Sequence, residues 1–201
     1  MENPFAAIRK RRILRVWEKR GRPLPPPDAL KQETVKDYGR RFHLDVFIET
    51  GAYLGDMVYA VRTTFPRIWS IELDSALAEG ARQRFRSHGH ITIVQGDSAT
   101  SLPEILAGLR EPCLFWLDGH YSGGVTAKGS SETPVREELR HILDHPVKNH
   151  VILIDDARCF TGEKEYPTID EIREIIRSRR PSWTFDVKDD IIRIHGKEQP
   201  T

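Results

Sequence analysis

The sequence has 201 residues, a length that suits one domain with a full hydrophobic core. Hydrophobic residues make up 38% and charged residues 30%, an ordinary globular balance that excludes a disordered chain. No apolar run approaches the roughly 18–20 residues a membrane span needs. The N-terminus is basic but lacks the apolar segment and small-residue cleavage site of a secretory leader. Two cysteines, Cys113 and Cys159, are too few for a disulfide framework and read as buried reduced thiols, which points to a cytoplasmic setting. The net charge of +1 conceals an asymmetry: residues 1–22 carry +6 and the remainder −5. A basic arm on an acidic body could meet nucleic acid, an acidic lipid surface or a partner subunit, a homodimer included, or be simply a solvated helix.

In chain order, Ala6 to Lys19 reads as a basic helix with Ile8, Ile13, Leu14, Val16 and Trp17 interspersed. Gly21 to Pro27, with four prolines in five positions, ends it as an extended linker. A second helix near Asp28 to Tyr38 leads into the core. The expected division is therefore an arm and linker over 1–43 and a main domain over 44–201. Val46-Phe47-Ile48 is the first strand, and Tyr53 to Phe65 follows as an amphipathic helix. Ile68 to Ile71 is the second strand, followed by a helix that Ser75 is expected to cap. Ile91 to Val94 is the third strand, with Pro103 expected as the first residue of the next helix. Cys113 to Leu117 is the fourth strand, and Thr133-Pro134 reads as a cap followed by a proline in the first helical position. Val151 to Ile154 is the fifth strand, and Ile169 to Ile176 is the next helix. Trp183–Val187 and Ile191–Ile194 flank Lys188-Asp189-Asp190 as a hairpin. Apolar runs alternating with amphipathic helices imply an α/β fold, Rossmann-like, whose mostly parallel sheet has helices on both faces and ends in an antiparallel hairpin.

Ligands of such folds bind beyond the carboxyl ends of the strands, at the topological switch point. After the first strand stands Glu49-Thr50-Gly51-Ala52-Tyr53-Leu54-Gly55, a glycine-containing turn that lets backbone approach a ligand. Such a turn fits dinucleotides as well as S-adenosylmethionine (SAM). Glu49 would repel a pyrophosphate and attract the cationic ammonium of a methionine moiety. After the second strand, Glu72 is placed to accept from ribose hydroxyls or to lie solvated. After the third, Asp97 and Ser98 are placed to meet an adenine amino group or to cap the next segment. After the fourth comes Asp118-Gly119-His120, and after the fifth Asp155-Asp156. Three carboxylates on one rim repel unless a cation or a proton compensates. All-oxygen ligands suit magnesium, calcium or manganese, whereas capping by Asp155 or Asp156 needs no metal. His120 reads equally as a general base for a substrate hydroxyl or as a structural hydrogen-bonder. The segment from Ser122 to Ser131 reads as a substrate loop. The other histidines show no zinc-like spacing and read as surface or local structural residues.

Over about Leu44 to His195 the chain resembles class I SAM-dependent methyltransferases. Glu49 to Gly55 looks like the family's first motif, Ile71-Glu72-Leu73-Asp74 its second and Gly96-Asp97-Ser98 its third. The resemblance implies a seven-stranded sheet. It also implies SAM bound by Glu49, Thr50, Gly51, Gly55, Glu72, Asp97, Ser98 and Asp118. Leu117 to Tyr121 and Ile154-Asp155-Asp156 look like the macrocin O-methyltransferase type. That narrower resemblance implies magnesium (Mg2+) held by Asp118, Asp155 and Asp156, with His120 or Asp118 accepting the proton of a small hydroxylated acceptor such as a sugar. The glycine motif departs from the fuller family pattern in having only Gly51 and Gly55. A second reading has the basic arm gripping nucleic acid or protein for methylation, but no aromatic-flanked amide motif for base amino groups is present. A third is a non-catalytic SAM-binding or partner protein of the same fold. Glu49 and the missing third glycine weigh against a dinucleotide oxidoreductase.

Overall fold

The computed structural model describes residues 4–119 and 133–198. The first helix, α1, spans Pro4–Lys19, and α2 spans Asp28–Arg41. The core then alternates through β1 Val46–Thr50, α3 Asp56–Val61, β2 Arg67–Glu72, α4 Ser75–Phe85, β3 Ile91–Gln95 and α5 Ser98–Ala107. It continues through β4 Cys113–Leu117, α6 Val135–Asp144, β5 Val151–Ile154, α7 Ile169–Arg179, β6 Thr184–Lys188 and β7 Ile191–His195. The described strands form one seven-stranded sheet in the order β3-β2-β1-β4-β5-β7-β6. β1 to β5 pair in parallel, and β7 pairs antiparallel with both β5 and β6. The order reverses between β1 and β4, which places the switch point there.

The central strands β1, β4 and β5 are buried along their whole length, as continuous apolar runs demand when both faces of a parallel sheet are covered. Alternate residues feed two cores. Val46, Ile48, Phe115, Ile152 and Ile154 pack with Leu102, Leu139, Ile142, Ile172 and Ile176 from α5, α6 and α7. Phe47, Leu114, Trp116 and Leu153 pack with Val35, Tyr38, Val58, Val61, Ala78 and Phe85 from α2, α3 and α4. Gly39 of α2 lies so close to the Phe65 ring that a Cβ would overlap it at 2.4 Å. That close approach seats α2 on the sheet layer.

Several boundaries differ from the sequence reading, for local reasons. α3 begins only at Asp56, because Tyr53 and Gly55 both take positive φ and hold the preceding turn open. Asp74, not Ser75, is the N-cap of α4; its carboxylate accepts from the amides of Ala76 and Leu77, a cap worth about 1 kcal/mol. Pro103 lies inside α5 rather than at its start, since Asp97 already caps the helix through the Ala99 amide. A proline at 103 removes the donor to the Ala99 carbonyl; His141 of α6 hydrogen-bonds the Ala99 backbone instead. Pro134 occupies the N-cap of α6, one residue earlier than expected. The β6–β7 turn is the two residues Asp189 and Asp190, both at positive φ, the geometry whose twist suits a hairpin.

The Pro-rich segment is not a free linker. The Trp17 indole N–H donates to the Pro23 carbonyl at 2.8 Å, folding the segment back along α1 around a groove of about 490 Å3. α1 in turn packs on α2, and α2 on α3 and β4. Among the described residues no helix is long and apolar enough to cross a membrane.

Candidate active site

β1 ends in Glu49 and Thr50, both buried, and the chain then turns sharply. The amides of Gly51 and Ala52 both donate to the Ile71 carbonyl at 2.9 and 3.2 Å, strapping the turn to the end of β2. Gly51 sits at φ +87°, and a Cβ there would lie 2.5 Å from the Asp118 carbonyl oxygen. Only glycine lets the backbones leaving β1 and β4 come this close. Gly55, at φ +77°, is similarly pressed against the Phe85 ring.

Glu72, at the end of β2, accepts from the Tyr53 amide at 2.7 Å through one carboxylate oxygen and from the Asp74 amide at 2.9 Å through the other. It therefore orders the glycine turn directly. Each oxygen keeps a second lone pair, so a ribose diol can still bind there. Asp97 spends one oxygen on capping α5, and the buried Ser98 is that helix's first residue. The capping reading of Asp97 is thus realised, with its position beyond β3 as expected.

Glu49 is 2% exposed and accepts from the Ser70 hydroxyl at 2.5 Å, across the β1–β2 register pair. Burial, reinforced by the charges of Asp118 and Glu72 and only partly offset by Ser70, pushes its carboxyl well above the usual carboxylate range. An approaching cation would reverse that shift. The Thr50 hydroxyl oxygen is buried without a hydrogen-bond partner among the described residues. It faces Gly119, where a Cβ would lie 3.2 Å away.

On the other side of the switch point, the Asp118 amide donates to the Thr50 carbonyl at 3.1 Å and the Asp155 amide to the Leu117 carbonyl at 3.0 Å. These bonds continue the ladder one step past the strands and bring the expected carboxylates to one rim. What compensates them is a residue the sequence reading passed over. Lys31 of α2 places its ammonium 2.5 Å from Asp155 Oδ2 and 3.3 Å from Asp156 Oδ1, and it feels the charge of Asp118. The carboxylates hold the Lys31 pKa above its ordinary value against the opposing cost of burial. Burial in turn raises Asp155, although Lys31 counteracts it.

Asp156 is further engaged by Arg158, whose guanidinium also pairs with the buried Asp190 in the hairpin turn. The Asp156 amide closes back on Asp155 Oδ1 at 2.8 Å with Asp156 at φ +53°. Among the described residues no three His, Cys, Asp or Glu side chains are grouped so as to hold a metal. With an ammonium and a guanidinium already spending their oxygens, Asp155 and Asp156 fit a divalent ion poorly. His120 and the segment 120–132 lie outside the described residues.

Other functional candidates resolve as structural. Cys113, the first residue of β4, is buried and burial pushes its thiol up to about 12; Cys159 is half-buried, and neither is in a disulfide. Histidines 145 and 150 are buried rather than superficial. The Cys113 amide donates to His150 Nδ1 at 3.1 Å, which fixes the proton on Nε2. That Nε2 donates to His145 Nδ1 at 3.0 Å, and His145 Nε2 donates to the Leu106 carbonyl at 3.0 Å. This neutral relay pins the connection between α6 and β5 to β4 and α5.

No protein-family model and no curated protein matches the sequence. Solved structures do resemble it. The O-methyltransferase TomG from Streptomyces achromogenes, in complex with SAM, superposes with a TM-score of 0.63 at 14% identity, over 98% of this chain and 92% of that one. An O-methyltransferase from Bacillus cereus in complex with SAH gives 0.63 at 14% identity, over 94% and 90%. The SAH-bound methyltransferase PaMTH1 of Podospora anserina gives 0.56 at 19% identity, over 98% and 97%. At these identities the likeness concerns architecture: the chain is built on the α/β methyltransferase fold, with its seven-stranded sheet and closing antiparallel hairpin.

Proposed function

We propose that the chain is a SAM-dependent O-methyltransferase acting on a hydroxyl of a small acceptor, sugars included. The observation that carries this reading is the pairing of Gly51 with Thr50 at the switch point. Gly51 lets the turn after β1 lie against the Asp118 backbone, where any side chain would strike it, and leaves a stretch of turn backbone with no side chain in a ligand's way. Thr50 keeps a buried hydroxyl for which the described residues supply no partner; an unmet buried group of this kind costs about 1–3 kcal/mol until something pairs with it. The SAM and SAH complexes of similarly folded O-methyltransferases support the same cofactor here.

In this reading Glu72 receives the ribose hydroxyls, Asp97 and Ser98 flank the adenine, and Glu49 meets the methionine ammonium. Thr50, Gly51, Gly55 and Asp118 line the turn against the cofactor. The acceptor oxygen attacks the methyl carbon, the O–CH3 bond forms as the CH3–S bond breaks, and S-adenosylhomocysteine leaves. The acceptor proton passes to Asp118 or His120. Catalysis rests chiefly on holding oxygen, carbon and sulfur in line. The magnesium implied by the sequence resemblance has no part in this reading, because Lys31 and Arg158 already pair with Asp155 and Asp156.

Titration of the protein with SAM and S-adenosylhomocysteine by calorimetry tests the reading. Micromolar binding lost in Glu72→Ala is expected; no binding of either ligand would remove it. A second reading, methylation of nucleic acid or protein, is favoured by the basic α1, where Phe5, Ile8 and Val16 are also exposed. It requires salt-sensitive polymer binding that disappears when residues 1–22 are deleted. The same exposed face suits a homodimer through the 1–43 arm, and concentration-dependent sedimentation of the intact chain tests that.

A further inference from the structure

We propose that the Lys31 ammonium is the resident cation of the acceptor side, standing where a divalent ion would otherwise bridge Asp155 and Asp156, and that its remaining N–H receives the acceptor oxygen. The acceptor half of this inference rests on the methyltransferase reading; the cation half does not. Three observations lead to it.

The first is occupancy. Lys31 lies 2.5 and 3.3 Å from one oxygen of each aspartate, with Asp155 1% exposed and the Lys31 side chain only 15% exposed. An ammonium so enclosed differs from a surface lysine that happens to graze a carboxylate. The second is donor accounting. An ammonium has three N–H groups in a roughly tetrahedral fan. Two point at Asp155 and Asp156, and no described residue takes the third. The third is origin. Lys31 comes from α2, which packs on β4, the strand that leads into Asp118. The ammonium therefore belongs to the rim between β4 and β5 rather than to the glycine turn.

A compact cation with a spare donor holds an oxygen through charge and one hydrogen bond. It favours the ionised form of an acceptor hydroxyl, as a Lewis acid would, without taking the place of a ligand on the carboxylates. The acceptor class this selects is an oxygen nucleophile that gains negative charge on the way to attack, such as an acidic hydroxyl or a phenol.

Manganese alone is the probe for the cation half, read by the electron paramagnetic resonance signal of free Mn2+. The native chain is expected to bind no saturable Mn2+. Lys31→Met, which removes the charge at nearly constant length, is expected to gain one saturable Mn2+, and Lys31→Arg, which keeps a cation there, is expected to gain none. One Mn2+ bound to the native chain and lost in Asp155→Asn would overturn the proposal, because the lysine would then only stand in until metal arrives. A folded Lys31→Met that gains no Mn2+ also overturns it. If that variant melts at room temperature, Lys31→Gln replaces it, and the native-chain titration decides in any event.

The acceptor half is read in a screen of phenols and sugars with SAM. Turnover is expected to be unchanged by EDTA and at least 100-fold slower in Lys31→Met, with the SAM dissociation constant shifted less than threefold. EDTA-sensitive turnover, or a Lys31→Met variant as active as the native chain, refutes it. Failure of SAM to bind at all would instead sink the methyltransferase reading, while the Mn2+ titration still decides the role of Lys31.

Discussion

The two sides of the switch point are built on different principles. On the β1–β2–β3 side, Glu72, Asp74 and Asp97 are each held by backbone amides no more than 19 positions away. Glu72 holds Tyr53 and Asp74, Asp74 caps α4, and Asp97 caps α5. On the β4–β5 side the contacts are ionic and distant: Lys31 reaches Asp155 across 124 positions, and Arg158 reaches Asp190 across 32. A side made of local hydrogen bonds is set as soon as its strands pair. A side made of long-range ion pairs is complete only once distant parts of the chain have packed, and in the proposed reaction it sets a fixed cation beside an acceptor that gains negative charge.

The largest expected effect tests the first side. Gly51→Ala forces a Cβ into the Asp118 carbonyl at a positive φ, a strain of order 1–3 kcal/mol before the clash is added, so SAM affinity should fall by at least about tenfold to 100-fold. Calorimetry measures it, and a thermal melt separates lost binding from lost folding. Unchanged affinity would mean that the cofactor does not approach this turn. Glu72→Ala should come next. Two charge-assisted hydrogen bonds to the turn are lost, each worth about 1.5–3 kcal/mol, so binding should weaken by about tenfold or more. Lys31→Met should leave that affinity nearly untouched; if it does not, the two sides are not separable as drawn.

Glu49 sharpens the comparison through pH. Its carboxyl titrates well above the usual range in the free protein because it is buried. A cationic ammonium would bring that pKa down, so binding should release protons and SAM affinity should rise with pH above the ordinary carboxylate range. Calorimetry in buffers of different ionisation enthalpy counts the released protons, and Glu49→Gln should abolish the slope. A flat profile in the native chain would place the ammonium elsewhere.

The smallest effect lies away from the site. His150 is depressed from 6.5 to about 3, first by burial and then by the neighbouring charges, and His145 is lowered as well. Below pH 6.5 the unfolded chain binds protons that the folded relay refuses. The stability it confers is full above about 6.5 and is lost as pH falls toward 3. His150→Gln should flatten that part of a pH–melting curve; an identical curve would show that the relay is not what responds to acid.

The fold was legible because strand and helix periods alternate cleanly from Val46 to His195, and the hairpin carried its own turn residues. Local boundaries were less so: capping by Asp74 and Asp97 competes with Ser75 and Pro103 as starting signals, and geometry alone decides between them. The residues beyond β1, β2 and β3 stand where the strand ends placed them. Asp155 and Asp156 also reach their rim, but Lys31 carries no signal of its own, since a lysine in a polar helix such as Asp28–Arg41 looks solvated until tertiary packing buries it. The histidine relay was hidden for the same reason, because His145 and His150 gain meaning only from the Cys113 amide and the Leu106 carbonyl.

The distance between Lys31 and Asp155 also sets a timetable. A ribosome adding about 5–20 residues per second releases Lys31 roughly 6–25 s before Asp155. By then the glycine turn, Glu72 and Asp97 have all emerged, so the half around the glycine turn has its parts while the other half is still being made. Arg158 then waits a further 32 positions for Asp190, and exposed Arg22 waits 167 for Asp189, its ion-pair partner at 3.5 Å. The β6–β7 turn thus locks the acidic rim only after the glycine turn has been made, and a nascent polypeptide halted before residue 189 would carry a finished cradle beside an unfinished one.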